Sequence, residues 1–338
     1  MKKKWIAGLT AVAVLLSLGL SGCGSSEKTA ATASSDKKVV IKVAYENNTG
    51  EPTDKGAREW ARMVKEKSNG RLELQLFPSS QLGTKTDLIQ QMLTGSNVIT
   101  IADASFLMDY VPDIGILSGP YLADNYDQLF KLTKTDWFIE QEKKLEEKGL
   151  HIVTTNWIYG TRDIVAKKAI TKPSDMQGLK IRVPGNQLFV ETIKAMGGTP
   201  TPMAWGDTYT ALTQGVVDGA ENPISVLFGS KMYESAKFLS LTGHIDMISQ
   251  WIAGQKFWKT LPADLQKTLV DCGEEAGIYT NKQVDIADKD AMDKMKAAGV
   301  TVVDSDKQAF RDAVKPVYQK FPKWTPGLYD KVQLLMKN

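Results

Sequence analysis

The sequence predicts an α/β fold of two domains, each a mostly parallel sheet flanked by helices, with a cleft between them. The first observation is size and composition: 338 residues, 42% of them hydrophobic and 24% charged, are enough for about two globular domains. The second is a strand–helix–strand–helix–strand order that occurs twice, from residue 39 and again from residue 179. Each such unit can build a right-handed parallel sheet with helices on its faces, and two units side by side leave a cleft.

The first unit follows directly from hydrophobic periodicity and from helix stop signals. Its second strand alternates cleanly, and glycines end both of its helices. The predicted elements, in order, are a strand over Val39–Tyr45, a helix from Thr53 to about Ser68, a strand over Arg71–Phe77, a helix over Lys85–Thr94 closed by Gly95, and a strand over Asn97–Asp103.

The second unit repeats this order with different residues. The predicted elements are a strand over Leu179–Val183, a helix over Gln187–Met196, a strand over Thr199–Met203, a helix over Asp207–Gln214 capped by Asp207, and a strand over Val216–Glu221.

The segments outside the two units complete the predicted organisation. The charged run Glu140–Lys148 is typical of a solvated helix face, and His151–Trp157 predicts a strand that crosses between domains. After Pro223 we expect several helices, including a long one from Leu265 to about Lys296, and a late strand over Thr301–Asp304. The expected domains are 39–160 with a return segment near 248–287, and 161–247 with a return segment near 288–338.

The N-terminus indicates export. Lys2, Lys3 and Lys4 precede an apolar run from Trp5 to Leu20, which is typical of a secretory signal. At about 16 residues the run is short for the alternative, a membrane-spanning helix.

The residues that follow suggest a lipid anchor. The sequence LSGC, ending at Cys23, resembles the lipobox of bacterial lipoproteins, which predicts a signal peptide over 1–22, a lipidated Cys23 and a flexible tether over 23–38. The alternative is ordinary signal cleavage beside an incidental cysteine.

Composition excludes several classes of function. The net charge of +3 is due to the three N-terminal lysines, and no basic patch suggests nucleic acid. Cys272 is the only other cysteine and is expected to be a buried small residue. With only His151 and His244, most histidine-based catalysis and zinc sites are excluded, and no enzyme motif occurs. We therefore expect no enzyme, no catalytic residues, no metal and no cofactor.

Candidate binding residues follow from the rule that ligands bind beyond the carboxyl ends of parallel strands. Arg182 offers a planar fork that matches a carboxylate, Trp205 a flat apolar wall, and Asn222 both a donor and an acceptor. The rule selects, in the first unit, Tyr45, Glu46, Phe77, Ser79, Ser80 and Asp103, and in the second, Arg182, Ala204, Trp205, Glu221 and Asn222. This set suits recognition of a ligand rather than chemistry on it.

Each of these residues also has a simpler interpretation. An arginine such as Arg182 or Arg162 can be a solvated surface charge, and Trp205 can belong to the core. Asn222 and the proline after it form an ordinary turn signal. His244 is expected to be a structural hydrogen-bonding residue. The prediction of a binding site therefore depends on all of these residues meeting at one cleft between the two sheets.

The chain resembles the solute-binding proteins of tripartite ATP-independent periplasmic (TRAP) transporters, the dicarboxylate-binding-protein (DctP) family, over essentially all of the predicted mature protein. The resemblance lies in the stretches NGRLELQLFPSSQLG (69–83), GLKIRVPGN (178–186), GGTPTPMAWGDTYTALTQGVVDGAENP (197–223) and MYESAKFLSLTGH (232–244). It implies a two-domain fold like that of periplasmic binding proteins, which closes on its ligand and then docks on a permease driven by an ion gradient.

The resemblance also implies roles for individual residues. Arg182 would make paired hydrogen bonds to the ligand carboxylate, and Arg162 and Asn222 would also bind the ligand. The remaining members of the implied site are an aromatic residue that packs on the ligand, Trp205, two polar groups that vary with the substrate, Asp103 and Glu46, and Tyr159.

The expected function is that of a lipid-anchored extracytoplasmic receptor on the outer face of the cell membrane, on the periplasmic side if the cell has an outer membrane. Its expected partners are a small organic acid, the permease and the membrane that holds its lipid anchor. Because Glu46 and Asp103 are acceptors that suit hydroxyl groups, the hypothesis is a sugar acid or other hydroxylated carboxylate. The alternatives are a four-carbon dicarboxylate or sialate receptor, a ligand-binding subunit of a sensory system, and a secreted α/β enzyme.

Overall fold

The computed structural model describes residues 38–337 as one mixed sheet with helices packed around it. The predicted signal peptide and Cys23 lie outside these residues. The strands are β1 Val39–Ala44, β2 Leu72–Phe77, β3 Val98–Ala102, β4 Leu150–Ala166, β5 Lys180–Val183, β6 Thr199–Pro202, β7 Gly219–Pro223, β8 Phe238–Gly254 and β9 Thr301–Asp304. The helices are α1 Pro52–Lys67, α2 Lys85–Thr94, α3 Ala104–Leu107, α4 Tyr126–Leu132, α5 Asp136–Glu147, α6 Gln187–Ala195, α7 Thr208–Thr213, α8 Ile224–Gly229, α9 Gln255–Trp258, α10 Ala263–Ala297, α11 Lys307–Val314 and α12 Leu328–Lys337.

The sheet has two parallel sections joined by two long antiparallel strands. The strand order is β2-β1-β3-β8-β4-β7-β5-β6, and β9 pairs with β8 beside this path. We call β1, β2 and β3 the first half of the sheet, and β5, β6 and β7 the second half. Within each half the strands are parallel, whereas β4 and β8 pair antiparallel along most of their length. The predicted α/β class is confirmed, and the two predicted sheets are joined into one.

After Pro223 the expected helices begin with α8, but the prediction missed β8, the 17-residue strand from Phe238 to Gly254. From Ile245 to Gly254 all but one of its residues are buried, so the alternation of polar and apolar residues that marks a half-buried strand is absent. The crossing strand β4 likewise continues nine residues past its predicted end at Trp157, to Ala166.

Other predicted elements differ from the structure only at their ends. Helix α2 has the predicted bounds, because Thr84 and Asp87 form a capping box at its start and Gly95 ends it with a φ of 102°. Asp207 makes no side-chain cap: it belongs to a short 3-10 turn that precedes α7. Strand β7 begins at Gly219, three residues later than predicted.

The long helix α10, predicted from Leu265 to about Lys296, contacts both halves of the molecule through α1, β4 and α8. Small residues permit the close approach: a Cβ on Gly277 would lie 2.8 Å from the ring of Trp157, and Cys272 is fully buried as expected. Beneath the helix, Trp60, Trp157 and Trp251 pack with ring centroids 5.2–6.2 Å apart. No helix within residues 38–337 is long and apolar enough to cross a membrane.

Candidate functional site

A cavity of about 130 Å³ lies where the carboxyl ends of strands from both halves of the sheet meet. The first half contributes residues that follow β1 and β3, and the second half contributes residues on or after β5, β6 and β7. All seven residues predicted as the site lie on its wall: Glu46, Asp103, Tyr159, Arg162, Arg182, Trp205 and Asn222. The structure therefore brings the predicted residues together, although their roles toward a ligand remain a prediction.

Arg182, on β5, is a buried cation with no carboxylate partner among the described residues. The residue is 3% exposed, and its Nε and Nη2 donate to the carbonyl oxygen of Met203 at 3.1 and 2.8 Å. The indole of Trp205 stacks on the guanidinium, with 5.0 Å from Cζ to the ring centroid. These contacts hold one edge of the guanidinium, so the Nη1–Nη2 edge is left to bind a planar anion. Burial lowers the pKa of Arg182 to about 10, which still leaves it charged at neutral pH.

Arg162, on β4, is already paired with a carboxylate from β7. Its Nε contacts Glu221 Oε2, and its Nη2 donates to Glu221 Oε1 at 2.8 Å and to the Glu221 carbonyl at 3.0 Å. Burial is the largest influence on Glu221 and opposes its ionisation, but the charge of Arg162 and the hydrogen bonds from Arg162 and His244 together lower the pKa of that carboxyl. Within the described residues, Nη1 is the guanidinium nitrogen of Arg162 that has no oxygen partner. Arg162 can therefore donate hydrogen bonds to a ligand through Nη1 alone.

His244 supports this ion pair from β8. Its Nδ1 hydrogen-bonds the Thr242 hydroxyl at 2.8 Å, and its Nε2 lies 3.5 Å from Glu221 Oε2. Burial lowers the pKa of His244, which favours the neutral ring. This agrees with the structural hydrogen-bonding role expected from the sequence.

Lys85, the first residue of α2, is a lining residue that sequence reasoning missed. Its Nζ lies 3.2 Å from Glu46 Oε1 and 3.2 Å from Asp103 Oδ2, and 4.6 Å from the ring centroid of Phe106. Burial opposes the charge of Lys85, but the two carboxylates raise its pKa. The available signal was its sequence position, one residue after the Thr84 cap and five residues after Ser80, which the strand-end rule selects.

Asp103 connects the first half of the sheet to the second. Its Oδ1 accepts from the Ser105 hydroxyl, and the Ser105 oxygen in turn accepts from Asn186 Nδ2 at 2.9 Å. Because Asn186 begins α6 after β5, this chain of hydrogen bonds crosses the cleft. A second crossing is made by Asn48, whose amide lies 3.1 Å from the Ser230 hydroxyl.

The remaining predicted residues present groups that can bind hydroxyls or carboxylates. Asn222 is buried, and its Oδ1 has no hydrogen-bond partner within residues 38–337. The Tyr159 hydroxyl accepts from Asn47 Nδ2 at 3.3 Å, and burial raises its pKa well above its ordinary value, so the phenol keeps its proton. Met247 and Ser249 also line the cavity but were missed because β8 was missed.

The formal charges around the cavity cancel. Three cations, Arg162, Arg182 and Lys85, face three carboxylates, Glu46, Asp103 and Glu221. Arg162 is paired with Glu221, and Lys85 is shared by Glu46 and Asp103, so within residues 38–337 the lining cation without a carboxylate partner is Arg182. The arrangement is one for holding an anion.

Comparison with known proteins places the chain in a family. Residues 43–323 match the family model described as bacterial extracellular solute-binding protein, family 7 (DctP). A TRAP periplasmic solute-binding protein from Ochrobacterium anthropi, solved with bound L-fuconate, is 47% identical with a TM-score of 0.87, covering 88% of this chain and 99% of that one. Another from Actinobacillus succinogenes 130Z, with bound L-galactonate, is 45% identical with a TM-score of 0.87 over the same shares.

A more distant relative extends the range of ligands. The sialic acid-binding periplasmic protein SiaP of Vibrio cholerae is 28% identical over 86% of this chain and 91% of its own length. These relatives are solute-binding receptors rather than enzymes, and they are extracytoplasmic proteins. On the family match and the solved structures together, this chain belongs to family 7 of the bacterial extracellular solute-binding proteins, the DctP family of TRAP periplasmic receptors.

Proposed function

We propose that this protein captures a sugar acid, a hydroxylated monocarboxylate such as an aldonate, and delivers it to the permease of a TRAP transporter. The single observation that carries the proposal is Arg182, a guanidinium that is buried at the cavity with no carboxylate partner among the described residues. An unpaired buried charge costs several kcal/mol, and a ligand carboxylate removes much of that cost. Binding is therefore favoured for an anion that fits the open edge of Arg182.

The side of the cavity formed by the first half of the sheet, across from Arg182 on β5, favours hydroxyl groups rather than a second carboxylate. Lys85 lies between Glu46 and Asp103, so that end carries two negative charges and one positive charge. Glu46 Oε2 receives no hydrogen bond within residues 38–337 and can accept one from a hydroxyl. L-Fuconate and L-galactonate, bound by the two relatives, are monocarboxylates with several hydroxyl groups, which agrees with this chemistry.

Sialic acid is the second candidate, because it is also a hydroxylated monocarboxylate and a relative that is 28% identical binds it. Isothermal titration calorimetry with the full-length chain separates the candidates, using L-galactonate, L-fuconate, D-galacturonate, N-acetylneuraminate and succinate. Tightest binding of an aldonate or uronate supports the proposal, and tightest binding of N-acetylneuraminate supports the alternative. Preference for succinate would refute the argument from Glu46 and Asp103.

Arg182 variants test the clamp directly. Arg182→Ala should weaken binding of the preferred acid by about 2–5 kcal/mol, at least thirtyfold, and Arg182→Lys should also bind poorly because it loses the fork. Arg62→Ala is the matched control, since Arg62 lies exposed on α1 and pairs only with surface carboxylates. Unchanged affinity of Arg182→Ala would remove this residue from the site.

Delivery to a permease and anchoring through Cys23 are further parts of the proposal, supported by family membership and by the LSGC sequence. Uptake of the ligand into vesicles that contain the permease should require this protein and an ion gradient. Binding without such uptake would favour the sensory role. Cys23→Ala should move the protein from the membrane fraction to the soluble fraction; continued anchoring would argue for an uncleaved membrane helix.

A further inference from the structure

We infer that Lys85 and its two carboxylates form a charge filter, which admits a ligand with one carboxylate and rejects a ligand with a second carboxylate at the far end. The inference rests on the proposed function and assigns Glu46 and Lys85 as specificity-determining residues. We call Lys85, Glu46 and Asp103 the acidic end of the cavity.

The first step is the geometry of the ammonium group. Lys85 is nearly buried, with a side-chain exposure of 10%, and its Nζ is equidistant from Glu46 and Asp103 at 3.2 Å. An ammonium has three donors, so one remains after these two contacts. Because the residue lines the cavity, the third donor can reach a ligand hydroxyl there.

The second step is the charge balance. One ammonium shared by two carboxylates leaves the acidic end with a formal charge of −1, while Arg182 leaves the other end with +1. The two ends act on each other: burial lowers the pKa of Arg182, and the charges of Glu221 and Glu46 partly offset that effect. A monocarboxylate neutralises Arg182 and presents only hydroxyls to the acidic end. A dicarboxylate of the same length places its second charge against an excess of negative charge, in a poorly solvated cavity where repulsion is strong.

The third step separates the roles of the two carboxylates. Both oxygens of Asp103 are engaged, Oδ2 by Lys85 and Oδ1 by the Ser105 hydroxyl that accepts from Asn186 across the cleft. Glu46 is engaged only through Oε1, and its side chain is 21% exposed against 6% for Asp103. Removing the charge of Glu46 therefore changes the filter without breaking the hydrogen bonds that cross the cleft.

The test compares L-galactonate with galactarate, which has a carboxylate at both ends of the same six-carbon chain. Calorimetric titration of the full-length protein should show galactarate binding at least tenfold more weakly than L-galactonate. In Glu46→Gln the acidic end becomes neutral, so the ratio of galactarate affinity to galactonate affinity should rise at least tenfold. In Lys85→Met both carboxylates lose their cation, so L-galactonate should bind at least tenfold more weakly and galactarate should not bind measurably.

The controls make the same changes on the exposed face of α10. Glu274→Gln and Lys289→Met should leave the affinity ratio at the wild-type value, because both residues are exposed and neither lines the cavity. Unfolding temperatures show whether each variant is folded. If Lys85→Met does not fold, the affinity ratio of Glu46→Gln is the result that decides whether the charge filter exists.

Two results would overturn the charge filter: wild-type affinities for the two acids within threefold of each other, or an unchanged ratio in Glu46→Gln. Either leaves the proposed function intact, provided that L-galactonate binds and Arg182→Ala weakens its binding at least thirtyfold. A wild-type protein that binds no sugar acid overturns the proposed function, and the charge filter with it.

Discussion

The buried ion pair between Arg162 and Glu221 makes a sharp prediction about stability. Glu221→Gln keeps the size of the side chain but removes the negative charge, so Arg162 is left buried without a carboxylate. Both side chains are almost completely buried, at 4% and 0% exposure, so water cannot replace the lost partner. The neighbouring His244 cannot replace the lost carboxylate, because an imidazole ring is either neutral or positively charged.

Removal of one partner from a buried pair costs about 3–5 kcal/mol, because the other charge remains desolvated. For a domain of this size each kcal/mol lowers Tm by about 2 °C, so Glu221→Gln should melt about 6 to 10 °C below the wild type. The cavity of the variant also carries one extra positive charge. A sugar acid should therefore raise the Tm of Glu221→Gln by at least as much as it raises that of the wild type.

Differential scanning calorimetry of both proteins, with and without L-galactonate, measures these quantities. Glu234→Gln is a suitable control, since Glu234 is an exposed carboxylate that accepts a hydrogen bond from the hydroxyl of the exposed Tyr209. A loss of less than 1 kcal/mol in Glu221→Gln would show that the pair is not buried as described. Loss of ligand stabilisation, with the fold retained, would show instead that Glu221 itself orders the site.

Two further predictions concern packing and pH. Gly56→Ala should lower the free energy of unfolding by about 1–3 kcal/mol, because the new Cβ would overlap Thr280 Oγ1 and lie 2.6 Å from the Trp157 ring. Chemical denaturation measures this loss. The control is Gly206→Ala, where the Cβ meets open space, and an equal loss of stability there would refute the reasoning. Burial raises the pKa of Glu51 from its ordinary 4.5 to about 8, so the folded state binds a proton that the unfolded state releases, and this contribution to stability is present at low pH and lost as pH rises toward 8. Between pH 6 and pH 7 the wild type should lose about 1.3 kcal/mol of stability relative to Glu51→Gln, and the slope should fall to about half by pH 8, where the folded carboxyl is itself half ionised; parallel pH profiles would contradict the assignment.

The candidate site was predictable to the extent that it depends on strand ends. The carboxyl ends of parallel strands meet at one edge of a sheet, so a list of the residues there already contained Arg182, Trp205, Asn222, Glu46 and Asp103. That rule requires only the strand bounds, which periodicity supplies for the two repeated units. The bounds of α2 were predictable for a similar reason, because Thr84 and Gly95 act locally.

What could not be predicted depends on contacts between distant segments. Strand β8 is buried on both faces, and burial on both faces erases the periodicity that distinguishes a strand from a buried helix. The pairing of Arg162 with Glu221 and the sharing of Lys85 by two carboxylates require the folded arrangement, since partners 59 and 39 residues apart carry no local signal. The free edge of Arg182 follows from the position of the Met203 carbonyl, which the sequence does not specify.

The place of β8 in the sheet has a consequence for how the chain is synthesised. Until Phe238–Gly254 has been made, the nascent protein can form only two unconnected sheets, β2-β1-β3 and β4-β7-β5-β6, and the facing edges of β3 and β4 have no partner. Open strand edges favour pairing with other chains. Completion also requires closing the long loop between β3 and β8, which makes this step slow relative to local folding. A nascent chain stalled before residue 238 would therefore contain two incomplete sheets. A chaperone that covers the edges of β3 and β4 would protect it from pairing with other chains until β8 is synthesised.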